Sequence, residues 1–388
     1  MNTQLGLRSL FVLTALYLLA ASASGQTVAD QDRQMADKIF KNIQVLRGLT
    51  VDEFMGTMGF IAASLSMNCI DCHVASSASD VTKFAEDTPV KQTARKMILM
   101  VKSINVANFG GNQTVTCYSC HRGSERPKAI PSLADQYGTP PPEDPDEVEI
   151  QGAQGAGALS EDQILDKYIQ ALGGAQHLVE LTSFVAKGSY EGFDTDGDKV
   201  PVEIFAKAPN QRTTVVHLPE GDSIRSYDGR SGWMTSTGTL LPLPVLELTG
   251  GDLDGGRLDA LISFPAQIKQ ALTGWRTGFP STSIDDNAVD VVQGTSPDNT
   301  PVKLYFDKKS GLLVRLVRYT DTAIGLNPTQ IDYSDYRDVA GVKIPFHWVV
   351  TWTDGRSTTE LSSVQPNLQI DPSKFSKPSP PPRRVAAP

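Results

Sequence analysis

The sequence predicts a multidomain chain: a small N-terminal all-α domain, then an α+β domain built on an antiparallel curved sheet or half-barrel. Three observations carry that expectation. Apolar residues recur at helical spacing through the first hundred residues and flank two copies of one five-residue unit, C-x-x-C-H. A stretch rich in proline, acid and glycine then interrupts the pattern. Beyond it, short apolar-polar alternations stand between turn signals, as strands do.

The N-terminus reads as a secretory signal over residues 1–25. Arg8 precedes an apolar run over 10–20, and Ala21, Ser22 and Ala23 offer small residues for cleavage. The run is short for a membrane span, which needs about 20 apolar residues. A chain exported this way would reach the periplasm or the outer face of the bacterial cytoplasmic membrane. The formal charge of −9 argues against nucleic acid as a partner and is compatible with a basic docking surface.

The first domain is expected over residues 27–128. Met35, Ile39, Ile43 and Leu46 suggest an amphipathic helix over 31–46. Thr50 followed by Glu53 reads as a capping box that starts a helix over 51–65, with Phe54, Met55, Met58, Ala62 and Leu65 on its apolar face. At i and i+3, Met55 and Met58 are expected to project to one side. Cys69, Cys72 and His73 come next. Thr88 and Pro89 then cap a second helix over 89–105, with Ala94, Met97, Met100, Val101 and Ile104 on one side. Cys117, Cys120 and His121 follow it, so a capped helix bearing methionine precedes each unit.

This spacing lets two thiols bond to the two vinyl groups of one haem while the adjacent imidazole reaches its iron. All four cysteines of the chain fall in the two units. Two covalently bound c-type haems are therefore expected, held by Cys69 and Cys72 and by Cys117 and Cys120, with His73 and His121 as iron ligands. A four-cysteine zinc site or a pair of disulfides would leave the two histidines unexplained. The domain has no other histidine, so His/Met ligation is favoured at both irons. Met55 or Met58 is within reach of the first. The second stands between Met100, Met97 and an open position, and an open, five-coordinate iron would point to ligand binding or peroxidase-like chemistry.

Around these motifs, Lys41 to Leu46, Glu53-Phe54, Thr57-Met58, Ala94 to Met97, Ile104-Asn105 and Thr116 to Gly123 resemble one half of the tetrahaem cytochrome c subunit of photosynthetic reaction centres. The resemblance implies an electron carrier that makes and breaks no substrate bond, served by a redox partner protein or membrane complex. It favours Met58 as the first iron's sixth ligand. The family carries four haems and this chain two, so respiratory service is as compatible with the resemblance as photosynthetic service.

Pro127, Pro131, Pro140, Pro141, Pro142 and Pro145, with acids between Glu143 and Glu149, mark a linker over 129–158. Ser160 and Asp162 open a helix ended by Gly173-Gly174. Strands are expected over 184–190, 202–207, 213–217, 302–306, 313–319, 330–336, 346–352 and 358–364, with hairpin turns at Asp196-Gly197 and Ser310-Gly311. A helical insert over 257–272 breaks near Pro265. The domain should span 159–375 and leave a disordered tail over 376–388.

Tyr168 to Gly174, Asp228 to Trp233 and Tyr336 to Phe346 resemble the half-barrel family of periplasmic lipoprotein carriers and outer-membrane lipoprotein-sorting proteins. That likeness implies an apolar ligand on the concave face. It frames a second reading, a lipid or lipoprotein binding protein whose haem domain senses redox state. Asp194, Asp196 and Asp198 lack the full EF-hand pattern and read as a solvated turn. His177, His217 and His347 read as packing residues. No catalytic serine triad, phosphate loop or carboxylate pair stands out, so an enzyme is not expected.

Overall fold

The computed structural model describes residues 34–78, 80–139, 159–235, 242–277 and 282–381. The expected signal at 1–25, most of the expected linker and the last residues of the tail lie outside them. The N-terminal part is helical and short-ranged: α1 (Ala36–Ile39), α2 (Val51–Leu65), α3 (Cys69–Cys72), α4 (Pro89–Asn108), α5 (Cys117–His121) and α6 (Leu133–Tyr137). Then come α7 (Glu161–Ala171), α8 (Ala175–Glu180) and the strands β1 (Ser183–Gly192), β2 (Val200–Lys207), β3 (Gln211–Leu218), β4 (Gly221–Tyr227), β5 (Gly232–Thr235) and β6 (Leu246–Glu247). Helix α9 (Gly250–Ser263) crosses to β7 (Thr273–Arg276), β8 (Thr282–Ile284), β9 (Asn287–Thr295), β10 (Pro301–Asp307), β11 (Leu313–Thr322), β12 (Gly325–Val339), β13 (Val342–Trp352) and β14 (Gly355–Pro366).

All fourteen strands belong to one antiparallel sheet in the order β6-β5-β4-β3-β2-β1-β14-β13-β12-β11-β10-β9-β7, with β8 beside β9. Two meanders therefore meet where the first strand pairs with the last. Phe184 lies opposite Pro366 there, and Gly192 opposite Ser357. The seam is tight at Gly188, beside a register shift: a Cβ there would lie 2.0 Å from the carbonyl oxygen of Glu360, which only glycine avoids. Side chains of alternate residues face the concave side, where α7, α8 and α9 close one end of the sheet. Ile164, Leu165 and Tyr168 of α7 are buried against Leu304, Phe306 and Ile331 in the main core.

All eight expected strands form. Helix α7 starts at its Ser160 cap, where Gln163 N donates to Ser160 Oγ and Gln163 Oε1 accepts from Ser160 N at 2.9 Å. Helix α2 has its capping box, with Thr50 N donating to Glu53 Oε2 at 2.8 Å. Helix α4 begins at Thr88 and Pro89 as expected, and runs three residues further than the expected end at 105.

Other expectations do not hold. Instead of a helix over 31–46 there is one turn, because neighbouring backbone bonds across the chain: Ala36 N donates to Leu49 O at 2.9 Å and Val51 N to Gln34 O at 2.7 Å. Asn42 then turns the chain at a positive φ of 62°. The buried side of α4 is Ile98, Val101 and Asn105, while Met97 and Met100 face outward. The insert expected over 257–272 begins earlier, at Gly250, and its second half is a 3-10 turn, Pro265–Gln270. Helix α6 falls inside the stretch expected to be an extended tether.

Candidate functional site

Each C-x-x-C-H unit forms a short helical turn with its own cap. Before the first, Asn68 N donates to Asp71 Oδ2 at 2.6 Å. Before the second, Thr116 and Ser119 exchange bonds, Thr116 N to Ser119 Oγ at 3.0 Å and Ser119 N to Thr116 Oγ1 at 3.3 Å. The turn brings cysteines at i and i+3 to one side, as two bonds to one ring require. All four thiols are free, so neither pair is a disulfide. Among the described residues no three His, Cys, Asp or Glu side chains gather as metal ligands.

The two histidines are held alike. His73 Nδ1 lies 3.2 Å from the carbonyl oxygen of Phe84, and His121 Nδ1 lies 3.0 Å from that of Ser124. A carbonyl only accepts, so Nδ1 carries the proton in both rings and Nε2 keeps its lone pair for a metal. The Phe84 ring also meets His73 edge-on at 4.9 Å. Burial, and after it the Lys91 charge, holds the His73 imidazole below its usual pKa, which favours the neutral, ligating form. Burial raises the Cys72 and Cys117 thiols.

The surrounding segments are tied to these units. Thr88 Oγ1 donates to Cys72 O at 2.5 Å, joining the first unit to the start of α4. Asn105, at the other end of α4, donates to Val115 O at 2.7 Å and accepts from Val115 N at 2.9 Å, holding the approach to the second unit. Gly123 N donates to Ser64 O at 3.0 Å, so the second unit is fastened to the helix that precedes the first. The donor set fits a pair of covalently attached haems: two thiols and one Nε2 per unit.

Helix α2 separates the two methionines expected to share a side. Met58 packs with Phe54 and Ile61 on a small cluster of Leu46, Phe60, Ile98, Cys117 and Ile324. Met55 instead lines a cavity of about 660 Å³ under the curved sheet, as do Asp52, Gly56 and Gly59. The 60° that separates i and i+3 on a helix is enough to place one residue on each side of a boundary. Met100, 44% exposed on α4, belongs to neither cluster.

Sequence reasoning missed that α2 is docked on the sheet. Thr249 N donates to Asp52 Oδ2 at 2.7 Å, Thr50 Oγ1 lies 2.8 Å from Thr249 Oγ1, and Asn327 Nδ2 donates to Gly56 O at 2.8 Å. Gln113 Nε2 donates to Thr322 O at 2.8 Å beside the second unit. Gly325 admits the Phe60 ring, which a Cβ would meet at 2.2 Å, in a backbone conformation of φ +158°. Burial, with help from the Asp252 charge, pushes the Asp52 carboxyl up to about 8.

Sequence also missed a cluster of arginines on the cavity lining. Arg212, Arg225 and Arg318 lie among Asp52, Asp252 and Asp259. Arg318 is in phase with the core residue Leu316, and Arg212 with the cavity residue Val216. Period two in β3 and β11 was the signal available for both. The other three histidines take structural partners, Gly173 O for His177, Asp222 for His217 and Ser334 for His347.

Comparison with known proteins agrees with the motif region. Photosynthetic reaction center cytochrome c subunits align with 26% of this chain, at 37% identity over 109 residues in Thermochromatium tepidum and 35% over 111 in Rubrivivax gelatinosus. The alignments cover 24% and 28% of those proteins, so the chain spans about a quarter of the length of the curated relatives it matches. A LolA superfamily protein from Nitrosomonas europaea aligns with 57% of this chain and 99% of its own, at 16% identity and a TM-score of 0.39. The N-terminal region, over residues 14–165, matches the family described as the photosynthetic reaction centre cytochrome C subunit.

Proposed function

We propose that the chain is an exported c-type dihaem cytochrome that carries single electrons for a redox partner protein or membrane complex, photosynthetic or respiratory. The observation that carries the reading is the matched pair of histidines, each with Nδ1 committed to a backbone carbonyl and Nε2 left to bind iron. Cys69, Cys72, Cys117 and Cys120 would hold two haems by thioether bonds, with His73 and His121 as the proximal ligands. When bound, each haem supplies one-electron oxidation and reduction. The protein's part is to fix ring orientation through the Phe84 and Ser124 carbonyls and, by burial, to favour the neutral His73 imidazole.

Met58 is assigned as the sixth ligand of the first iron on the family resemblance, although the small cluster on which it packs includes Cys117 of the second unit. Met100 is assigned to the second, where α4 also offers Met97. Domain limits of 27–128 for an all-α haem domain and 159–375 for the sheet domain follow, with the chain acting in the periplasm or at the outer face of the cytoplasmic membrane. Among the described residues no helix is long and apolar enough to cross a membrane. The test is the haem absorbance of the denatured, purified protein. Two covalent haems per chain are expected, and any other count, or bound zinc, overturns the reading. Met58→Ala should remove the sulfur-to-iron charge-transfer band of one haem while Met55→Ala keeps both; the opposite pattern reverses the assignment.

The cavity favours a second reading beside the first. Phe184, Ile204, Val216, Ile331, Tyr333 and Trp348 give its lining an apolar, aromatic character suited to a lipid-like ligand.

A further inference from the structure

The arginine cluster is underused. Each guanidinium has five N–H donors, yet among the described residues Arg212 donates only to Ser263 Oγ at 2.6 Å, Arg225 to Asp252 O at 3.0 Å and Arg318 to Gly251 O at 3.3 Å. The ion pairs are loose: Arg225 and Arg318 stand 4.0 and 3.9 Å from Asp252 Oδ1. The Nε atoms of Arg225 and Arg318 are buried with no hydrogen-bond partner among the described residues. Buried donors without acceptors are costly, and these belong to residues on the lining of an apolar cavity.

Charge points the same way. Three arginines face the carboxylates of Asp252 and Asp259, while Asp52, pushed up to about 8, is mostly neutral at pH 7 and offsets little. One positive charge is left over. Lys343, Asp194 and Asp354 also line the cavity, but none is among the charges that act on Arg212 or Arg318.

We propose that the cavity binds a single-chain amphiphile with a carboxylate head, its head at Arg225 and Arg318 and its tail along the aromatic wall. The inference rests on the cavity reading above and adds the class of ligand. A carboxylate accepts from the terminal nitrogens of a guanidinium through two parallel bonds, replacing the loose pairing with Asp252 and supplying the negative charge the cluster lacks. A neutral ester of the same chain would fill the apolar wall and leave the arginines as they are.

The experiment titrates the full, haem-loaded chain with oleate and with methyl oleate, each below its aggregation threshold, and counts bound ligand by native mass spectrometry. One oleate per chain is expected, held at least about tenfold more tightly than the ester. Arg225 is the residue to vary, because its side chain is 32% exposed and tolerates change better than buried Arg318. Arg225→Met should weaken oleate binding by about tenfold, and Arg225→Lys should fall between it and the parent. Unchanged haem absorbance and near-ultraviolet circular dichroism will show that the variants are folded. Equal binding of the two probes, or full oleate affinity in Arg225→Met, overturns the carboxylate site and leaves the apolar cavity standing. Binding of neither probe overturns both.

Discussion

The half-barrel and the C-x-x-C-H region solve the problem of a core in opposite ways. The sheet domain buries its own large side chains, Tyr168 of α7 and Tyr305 and Phe306 of β10 among them. The N-terminal region has one small cluster, and Ile324 in that cluster is lent by the sheet domain. Several other apolar residues face outward around the motifs: Leu99 is 53% exposed, Val106 63% and Tyr118 53%. A segment of this size cannot be held by such a cluster alone. On the proposed reading, two attached haems would complete the core of the first region beside α2 pressed on the sheet, while the second needs only its own sequence.

The largest test of that contrast removes the attachment. With Cys69, Cys72, Cys117 and Cys120 all changed to Ser, residues 34–128 should become protease-sensitive while the sheet keeps its far-ultraviolet signal. Equal protection of both regions by limited proteolysis would break the comparison. The converse substitution is Phe306→Ala, which opens a cavity in the sheet's own core. It should cost about 3–5 kcal/mol in urea unfolding and leave the haem spectrum of the folded protein unchanged.

At the boundary between the regions, Asp52 makes stability depend on pH. Its folded pKa of about 8 lies above the unfolded value of 3.8, so the folded state binds the extra proton between these limits and stability falls as pH rises through that window. Asp52→Asn keeps an oxygen for Thr249 N and cannot ionise. It should flatten the decline and stabilise the protein at pH 7 by on the order of a few kcal/mol, read from unfolding curves across pH. The smallest effect is expected from Gly325→Ala, which pushes on the Phe60 ring and should cost about 1–3 kcal/mol by overpacking. If it leaves both stability and the haem spectrum untouched, the docking of α2 matters less than its contacts suggest.

What could be read in the sequence was local. The caps at Thr50, Thr88 and Ser160 depend on residues three apart, and the strands depend on period two. The histidine roles proposed above rest on their place directly after each second cysteine. What could not be read joins distant positions. Thr249 meets Asp52 and Asn327 meets Gly56 across about two hundred residues or more, and no periodicity announces such pairs. The helix expected over 31–46 failed for the same reason, since Leu49 and Gln34 took the backbone bonds of its neighbours. Met55 and Met58 looked equivalent because a helix alone has no inside. Only the sheet on one flank and the motifs on the other tell them apart.

That arrangement of α2 bears on how the chain comes apart. The peptide that joins the regions runs through residues 139–159, but Thr50, Asp52, Gly56, Phe60 and Gln113 are held by partners beyond it. A protease cut there would sever the polypeptide without releasing either piece. The two fragments should travel as one noncovalent particle, and the haem-bearing piece should separate from the other only in denaturant.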